Sequence, residues 1–339
     1  MSASHRFDLP SEASLWRNNH LKNLEMFYNE RCIPITEMIG SLNSLYVRES
    51  RSVPNIPEIM SKIMDIIRNI WSYSVDEADL KLSTKHTLEQ IDRMKQEFPH
   101  KCAEFVQQNA DLVEEDYNSI FSDWCSRMKM FLNWSSLCIK RLRDQEVTEG
   151  LYTQLFMQFS LICLLQPEIG ECYKEQMRIK GVLVSSIPSI RFPKFSDDLT
   201  TEFNRTVAVV TIAEIEDISY MRERYHMQNS EAFNVHNILP NELLGQHGAE
   251  LLIETKKSCF RPKVCGMICV GSKVIFTHLD MTSEHLKAIK GKEEWNDSFR
   301  CIIAYSRPYN FMNACDRREM LEMLFWLGYL QSPEFVLMK

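Results

Sequence analysis

The chain has 339 residues, a formal net charge of −7 and a hydrophobic fraction of 45%. This length exceeds the usual size of one domain, so two domains are expected. Only 10 glycines and 12 prolines are present, which argues against a turn-rich all-β fold and favours long helices. The negative charge excludes a protein that binds nucleic acid through its overall charge.

Cysteine usage and the first residues bear on the cellular compartment. The 11 cysteines are odd in number and irregularly spaced, and most have apolar neighbours, where a free thiol acts as a small hydrophobe. The N-terminus lacks the apolar core of a signal peptide, and no run reaches the 18 apolar residues of a membrane span. These features predict an intracellular protein, cytoplasmic or nuclear, that does not contact the membrane.

Helical periodicity dominates the first half of the chain. Residues 11–48 are predicted to be helical, with Pro34 bending or splitting the helix. The clearest helix is predicted at 56–73, where apolar residues follow the 3.6-residue period closely. A further long helical stretch is predicted from Thr84 to Arg143, interrupted at Pro99.

The second part of that stretch carries an apolar seam with steps of three and four, the spacing of antiparallel bundles. Residues 151–165 are nearly all apolar and predict a buried helix, and 168–180 is predicted to be a short one. From Asp76 to Asp123 there are twelve acidic and five basic residues. We therefore predict an acidic antiparallel helical bundle over 1–180, with the seam formed by Val106, Val113, Tyr117, Ile120, Trp124, Met128, Phe131, Ser135, Cys138 and Leu142.

The pattern changes near Gly181. Residues 182–193 are β-branched and interrupted by proline, which indicates a connector or an edge strand. Residues 206–215 form a continuous apolar run without helical period and predict a buried central strand. Residues 240–257 predict a helix with leucines and His247 on one face.

The remaining elements alternate between strand and helix. Two apolar runs over 263–279, joined by Gly271-Ser272, predict a β-hairpin. Together these elements predict an α/β domain over 181–339 with a mixed central sheet, so the whole chain is assigned to the α+β class. After the hairpin we predict a helix at 283–289, a strand at 299–305 and a helix at 316–330.

Carboxylates flank the predicted central strand. Asp197 and Asp198 precede it, while Glu214 and Glu216 stand at its end, where residues two apart share one face. The following helix carries Gln246, and a hairpin comes next. Short acidic clusters also mark places where a strand emerges into solvent, and this interpretation stays open beside a functional one.

This order of elements resembles the PD-(D/E)XK nuclease superfamily, including crinkler-type eukaryotic effector proteins. The resemblance covers roughly 180–330 and implies a restriction-endonuclease-like fold. It implies that Asp198 (or Asp197) and Glu214 hold Mg²⁺ and that Gln246 assists them. In that superfamily a lysine two residues past the glutamate activates water, but here this position holds Glu216, and Lys256 or Lys257 would have to replace the missing lysine.

Three further interpretations concern residues beyond that strand. Glu254-Thr255-Lys256 is a literal E-x-K, which would need 249–256 to be a strand. Cys265 and Cys269, with His278 and Cys301, are favoured as core residues over zinc ligands. His247 on its apolar helix face is favoured as a core histidine.

Two functions from different classes follow from the sequence. The first is an interaction or scaffold protein that binds a protein partner, or itself, through the helical half and carries a degenerate nuclease-like domain. The second is a Mg²⁺-dependent nuclease that cleaves DNA or RNA, with the α/β half contacting the nucleic acid.

Overall fold

The computed structural model describes residues 8–49, 64, 65, 68, 80–108, 115–143, 149–169, 174–194, 205–213 and 233–331. The chain divides into two compact units, each built from two separate segments. Unit 1 comprises Met1–Val53 and Glu168–Pro308, and unit 2 comprises Pro54–Pro167 and Tyr309–Lys339. The units therefore do not follow the predicted division into 1–180 and 181–339. Hydrophobic periodicity reports local structure, and it does not reveal with which distant segment an element packs.

The N-terminal part of unit 1 is not one long helix, as predicted for 11–48. A 3-10 turn at Ala13–Leu15 is followed by α1 (Asn18–Asn23), β1 (Met26–Tyr28) and α2 (Ile35–Glu49). Glu25 has a φ of 55°, a backbone conformation that ends the first helix. Pro34 directly precedes α2, so the predicted split at this residue is confirmed.

Seven strands of unit 1 form a mixed sheet in the order β1-β9-β8-β7-β6-β5-β2. The pairs β1/β9 and β6/β7 are parallel and the others are antiparallel. The predicted mixed central sheet and α+β class are thus confirmed. Besides β1, its strands are β2 (Glu168–Ile169), β5 (Ile190–Pro193), β6 (Thr206–Ala213), β7 (Val264–Val270), β8 (Lys273–Asp280) and β9 (Cys301–Tyr305).

A separate two-stranded hairpin replaces part of the helix predicted at 168–180. It consists of β3 (Glu175–Ile179) and β4 (Val182–Ser186), which pair antiparallel. The side chains of β3 alternate between buried and exposed, which is the period of a strand and not of a helix. Lys180 and Gly181 both have positive φ, as in the tight turns that suit a hairpin.

Helix α6 (Asn241–Glu254) packs against α1, the 3-10 turn and strands β3, β4, β6, β7 and β8. Two glycines allow this close approach. A Cβ on Gly245 would stand 2.3 Å from the Arg17 backbone, and one on Gly248 would stand 2.3 Å from Leu21. A short helix, α7 (Ser283–Ile289), follows β8 as predicted.

Unit 2 is helical. Its described elements are α3 (Leu80–Gln108), α4 (Glu115–Arg143), α5 (Glu149–Ile162), a two-residue strand β10 (Tyr309–Asn310) and α8 (Ala314–Gln331). Helix α3 packs against α4, and α4 packs against α5. The predicted break at Pro99 is wrong because α3 continues through this residue. The helix predicted at 56–73 lies outside the described residues except for positions 64, 65 and 68.

The predicted apolar seam is buried where its side chains are described, in α4. Trp124 donates from Nε1 to the carbonyl of Ile162 at 2.9 Å. Phe159 stacks on Phe311 with ring centroids 5.0 Å apart, so aromatic side chains form much of this core. The antiparallel order of the three helices stays a prediction. The buried seam residues are Trp124, Met128, Phe131, Ser135 and Cys138.

Within the described part of the chain, no helix is both long and apolar enough to span a membrane.

Candidate functional site

The predicted site residues fall into two groups. Asp197, Asp198, Glu214 and Glu216 lie outside the described residues, whereas Gln246 and Lys256 are described. Gln246 is on α6 as predicted, and Lys256 follows the end of that helix. Gln246 is eight positions before Glu254, the last residue of α6, which corresponds to about 12 Å of helical rise. Lys256 lies beyond this end, so the side chains of Gln246 and Lys256 do not meet.

Helix α6 places a stripe of ionisable residues on its buried side. His247, Glu250 and Glu254 follow one another at intervals of three and four residues, the spacing of one helix face. All three are at most 1% exposed. They belong to two polar clusters between the helix and the strands around it. His247 and Glu250 lie in the first cluster, and Glu254 lies in the second.

The first, the Glu250 cluster, comprises Thr211, Gln246, His247, Glu250 and Thr277. Gln246 Nε2 donates to Glu250 Oε1 at 3.0 Å, and the Thr211 hydroxyl donates to Glu250 Oε2. Thr211 must then accept from Nδ1 of His247, which lies 2.7 Å away. A neutral ring accepts at Nε2, so Thr277 donates to it, also at 2.7 Å.

The His247 ring bridges two strands that are not neighbours, since β7 lies between β6 and β8. Gly266 on β7 makes room for it. A Cβ at this position would stand 3.0 Å from Cε1 of His247 and 2.7 Å from Oγ1 of Thr277. The absence of a side chain at Gly266 is therefore what allows the histidine to reach both threonines.

Burial changes the proton affinity of both ionisable groups in this cluster. It raises the pKa of Glu250 to about 7, although hydrogen bonds from Thr211 and Gln246 oppose the shift. It lowers the pKa of His247 to about 3, so the ring is neutral at physiological pH. The predicted core histidine is confirmed, and its neighbour is a carboxyl group that changes charge near neutrality.

A cleft of about 160 Å³ opens onto the Glu250 cluster. Glu250, Gln246 and Ser186 line its inner part, and Glu12 and Lys174 stand at its exposed rim. Ser186 is 3% exposed, and its hydroxyl has no hydrogen-bond partner among the described residues. A buried hydroxyl without a hydrogen-bond partner costs free energy. The Ser186 hydroxyl is therefore a candidate to hydrogen-bond a molecule that enters the cleft.

The second, the Glu254 cluster, joins α6 to strands β3, β5 and β6. Arg191 on β5 forms a fully buried ion pair with Glu254, which also accepts from Thr206 at 3.2 Å. Arg191 additionally lies 3.7 Å from Glu175 on β3. The members of the cluster are Glu175, Arg191, Thr206, Glu254, Lys256 and Lys257.

Glu175 holds both lysines of this cluster. Its carboxylate pairs with Lys256 at 2.9 Å and with Lys257. Burial works against its ionisation, but hydrogen bonds from the two lysines outweigh it and lower the pKa of Glu175. Lys256 also donates to the carbonyl of Gln176 at 2.7 Å. Both lysines that were considered as substitutes for a catalytic lysine are thus fixed to the β3–β4 hairpin.

The alternative E-x-K at Glu254-Thr255-Lys256 is wrong as a strand motif, because Glu254 is the last residue of a helix and Thr255 is its C-cap. The cysteines considered as zinc ligands, Cys265, Cys269 and Cys301, are buried and free. In the described ranges, no three His, Cys, Asp or Glu side chains are grouped so that they could hold a metal ion.

Sequence reasoning missed Glu250, Ser186 and Arg191. A signal for Glu250 is present, since it lies three residues after His247 and four before Glu254, on the helix face that also carries the predicted core histidine. A carboxyl on the face already expected to be buried is itself unusual. Nothing local marks Ser186 or Arg191, whose roles depend on partners distant in sequence.

Comparisons of the chain with protein-family models, with curated proteins and with solved structures found no match.

Proposed function

We propose that this chain is an interaction or scaffold protein whose α/β part has a nuclease-like element order without nuclease chemistry. The order β6, α6, β7, β8 follows the sequence of elements on which the resemblance to the PD-(D/E)XK superfamily rests. The parallel pairing of β6 with β7 across α6 supports the same fold. This part of the proposal concerns architecture.

The geometry of the β5–β6 hairpin carries the proposed lack of nuclease activity. The backbone N–H of Lys194, four residues before Asp198, donates to the carbonyl of Arg205, the residue directly before β6. Ala213, directly before Glu214, is the last residue of β6. At about 3.3 Å per residue, roughly 23 Å of strand separates the two ends. Two carboxylates that share Mg²⁺ each bind it at about 2.1 Å, whereas the described residues nearest to the two predicted ligands, Lys194 and Ala213, lie at opposite ends of β6.

The lysines support the same conclusion. A lysine that replaced the family's catalytic lysine would have to stand near the metal and the attacking water. Lys256 and Lys257 instead neutralise Glu175. We therefore assign them a structural role in the Glu254 cluster.

The interaction role is proposed for the helices of unit 2. Acidic and basic side chains are both exposed in the described part of α3 and α4, and this mixed charged surface suits a protein partner or self-association. Several of them also form ion pairs within their own helix, such as Asp92 with Lys95 and Asp123 with Arg127. The exposed acidic residues are Glu89, Asp92, Glu97, Glu104 and Asp123.

The second candidate is the Mg²⁺-dependent nuclease with Asp198 and Glu214 as metal ligands. The observation in its favour is the element order together with Gln246 on α6, the helix position expected for the assisting glutamine. Under this alternative, nucleic acid would contact the α/β part of the chain.

One set of assays separates the two functions. The full-length chain is incubated with single- and double-stranded DNA and RNA in the presence of Mg²⁺ or Mn²⁺, beside Glu214→Ala and the exposed-site control Glu284→Ala. We expect no cleavage by any of the three. Metal-dependent cleavage that is lost only in Glu214→Ala would overturn the proposal in favour of the nuclease. Light scattering should give a mass above that of one chain, whereas a monomer that retains no partner would contradict the interaction role.

A further inference from the structure

The cleft beside Glu250 differs from the exposed surface of the unit 2 helices because its inner wall is buried and polar. Glu250 and Ser186 are 1% and 3% exposed, and both line the cleft. Ser186 offers a hydroxyl without a partner among the described residues. Apart from Gln246, the residues that line the cleft are not among the predicted nuclease residues.

The inner wall offers hydrogen-bond acceptors in excess. Each carboxylate oxygen of Glu250 already accepts one hydrogen bond, and each can accept a second. Gln246 donates to Glu250 through its amide nitrogen, so its carbonyl oxygen remains an acceptor. The Ser186 hydroxyl adds another acceptor. At the rim, Glu12 contributes a second carboxylate and Lys174 the opposite charge.

We propose that the cleft lined by Ser186, Gln246 and Glu250 binds a small organic cation through a primary ammonium group. An ammonium group has three N–H donors and no acceptor, which matches a carboxylate, an amide carbonyl and a hydroxyl on the inner wall. Its positive charge compensates a carboxylate that burial otherwise disfavours.

The size of the cleft limits the ligand. A volume of about 160 Å³ corresponds to about five molecules of liquid water. A molecule of four to six non-hydrogen atoms therefore fits, such as an amino alcohol. The hydroxyl of such a ligand would point to the rim, where Lys174 and Glu12 offer a donor and an acceptor.

The raised proton affinity of Glu250 is consistent with this assignment. Burial raises its pKa to about 7 and the charge of Glu254 adds to the shift, while the groups that oppose it, Thr211 and Gln246, are neutral. In the Glu254 cluster, Arg191 provides a positive charge for the neighbouring glutamate. The bound ammonium group would do the same for Glu250.

Isothermal titration calorimetry tests the proposal on the full-length chain at pH 8 and constant ionic strength. The probes are ethanolammonium chloride and ethylene glycol, which replaces the ammonium group with a neutral hydroxyl. We expect a dissociation constant in the millimolar range for ethanolammonium, as suits so small a ligand. Ethylene glycol should produce no measurable binding heat.

Two variants and two matched controls locate the site. Glu250→Gln should weaken ethanolammonium binding at least tenfold, and Ser186→Ala about fivefold, the effect of one hydrogen bond. The exposed-site controls Glu242→Gln and Ser298→Ala should bind as the native chain does. Equal affinity for ethylene glycol, absence of binding heat for ethanolammonium, or unchanged affinity in both site variants would overturn the proposal. If Glu250→Gln fails to fold in thermal melts, unchanged binding by Ser186→Ala alone is sufficient to overturn it.

Discussion

Replacing Glu250 by glutamine should stabilise the protein at high pH and have little effect at low pH. The pKa of Glu250 is raised from 4.5 to about 7 by burial. The folded state therefore binds this proton more tightly than the unfolded state does. The stabilisation of the folded state by this proton is fully present below pH 4.5 and is lost as the pH rises through 7.

The size of the effect follows from the shift. One pKa unit corresponds to about 1.4 kcal/mol, so the native chain loses about 3 kcal/mol in all, of which about 2.5 kcal/mol falls between pH 5 and pH 8. A glutamine side chain carries no charge and avoids this loss. Its amide can donate to Thr211, which can then donate to Nδ1 of His247, provided that the ring takes its other tautomer and donates to Thr277.

Urea unfolding of the native chain and Glu250→Gln at pH 5 and pH 8 measures this difference. His247, whose pKa is lowered to about 3, has the opposite effect on the pH dependence, but it is present in both proteins and cancels in the comparison. Glu242→Gln, an exposed change on the same helix, should follow the native chain. The reasoning is refuted if the free-energy difference between Glu250→Gln and the native chain is the same at both pH values.

Two further predictions concern packing and the buried ion pair. Gly266→Ala should lower the free energy of unfolding by about 1–3 kcal/mol, because the new Cβ crowds His247 and Thr277. Gly40→Ala, in α2 with no atom within 4 Å of the new Cβ, should instead raise it by about 0.5–1 kcal/mol; equal effects in thermal or urea unfolding would contradict the steric argument. Arg191→Met should cost about 3–5 kcal/mol, because it leaves the buried Glu254 carboxyl without its ion-pair partner. The double change with Glu254→Met should recover most of this loss, and a double variant as unstable as Arg191→Met would show that the pair itself stabilises the fold.

Elements whose pattern is purely local were predicted well. Strand β6, the β7–β8 hairpin, α7 and α8 lie close to their predicted positions, because each is defined by its own periodicity and by its turn residues. Strand β1 was missed because three residues are too few to establish a period. The continuation of α3 through Pro99 was missed because the sequence does not show that packing can offset the cost of a proline.

The candidate site was only partly predictable. Gln246 and His247 were placed on the correct helix, and their contacts follow from neighbouring strands that periodicity cannot identify. Ser186 and Glu250 are 64 positions apart in sequence, and only the packing of α6 on β4 brings them to one cleft. Lys256 was considered as a catalytic group from its position in sequence, but its partner Glu175 lies on a strand that was predicted to be a helix.

The pairing of β1 with β9 has a consequence for how the protein is made. Met26 pairs with Cys301, so almost the entire chain must leave the ribosome before the first strand finds its place. Until then Tyr28, whose hydroxyl donates to the carbonyl of Leu244 at 3.0 Å in the finished protein, lacks its strand partner Ile303. Contacts so distant in sequence slow folding and prolong the exposure of apolar segments. During synthesis, the segment that begins with α1 and β1 therefore waits for its strand partner, and unit 1 is completed only after the intervening segment of unit 2 has been translated.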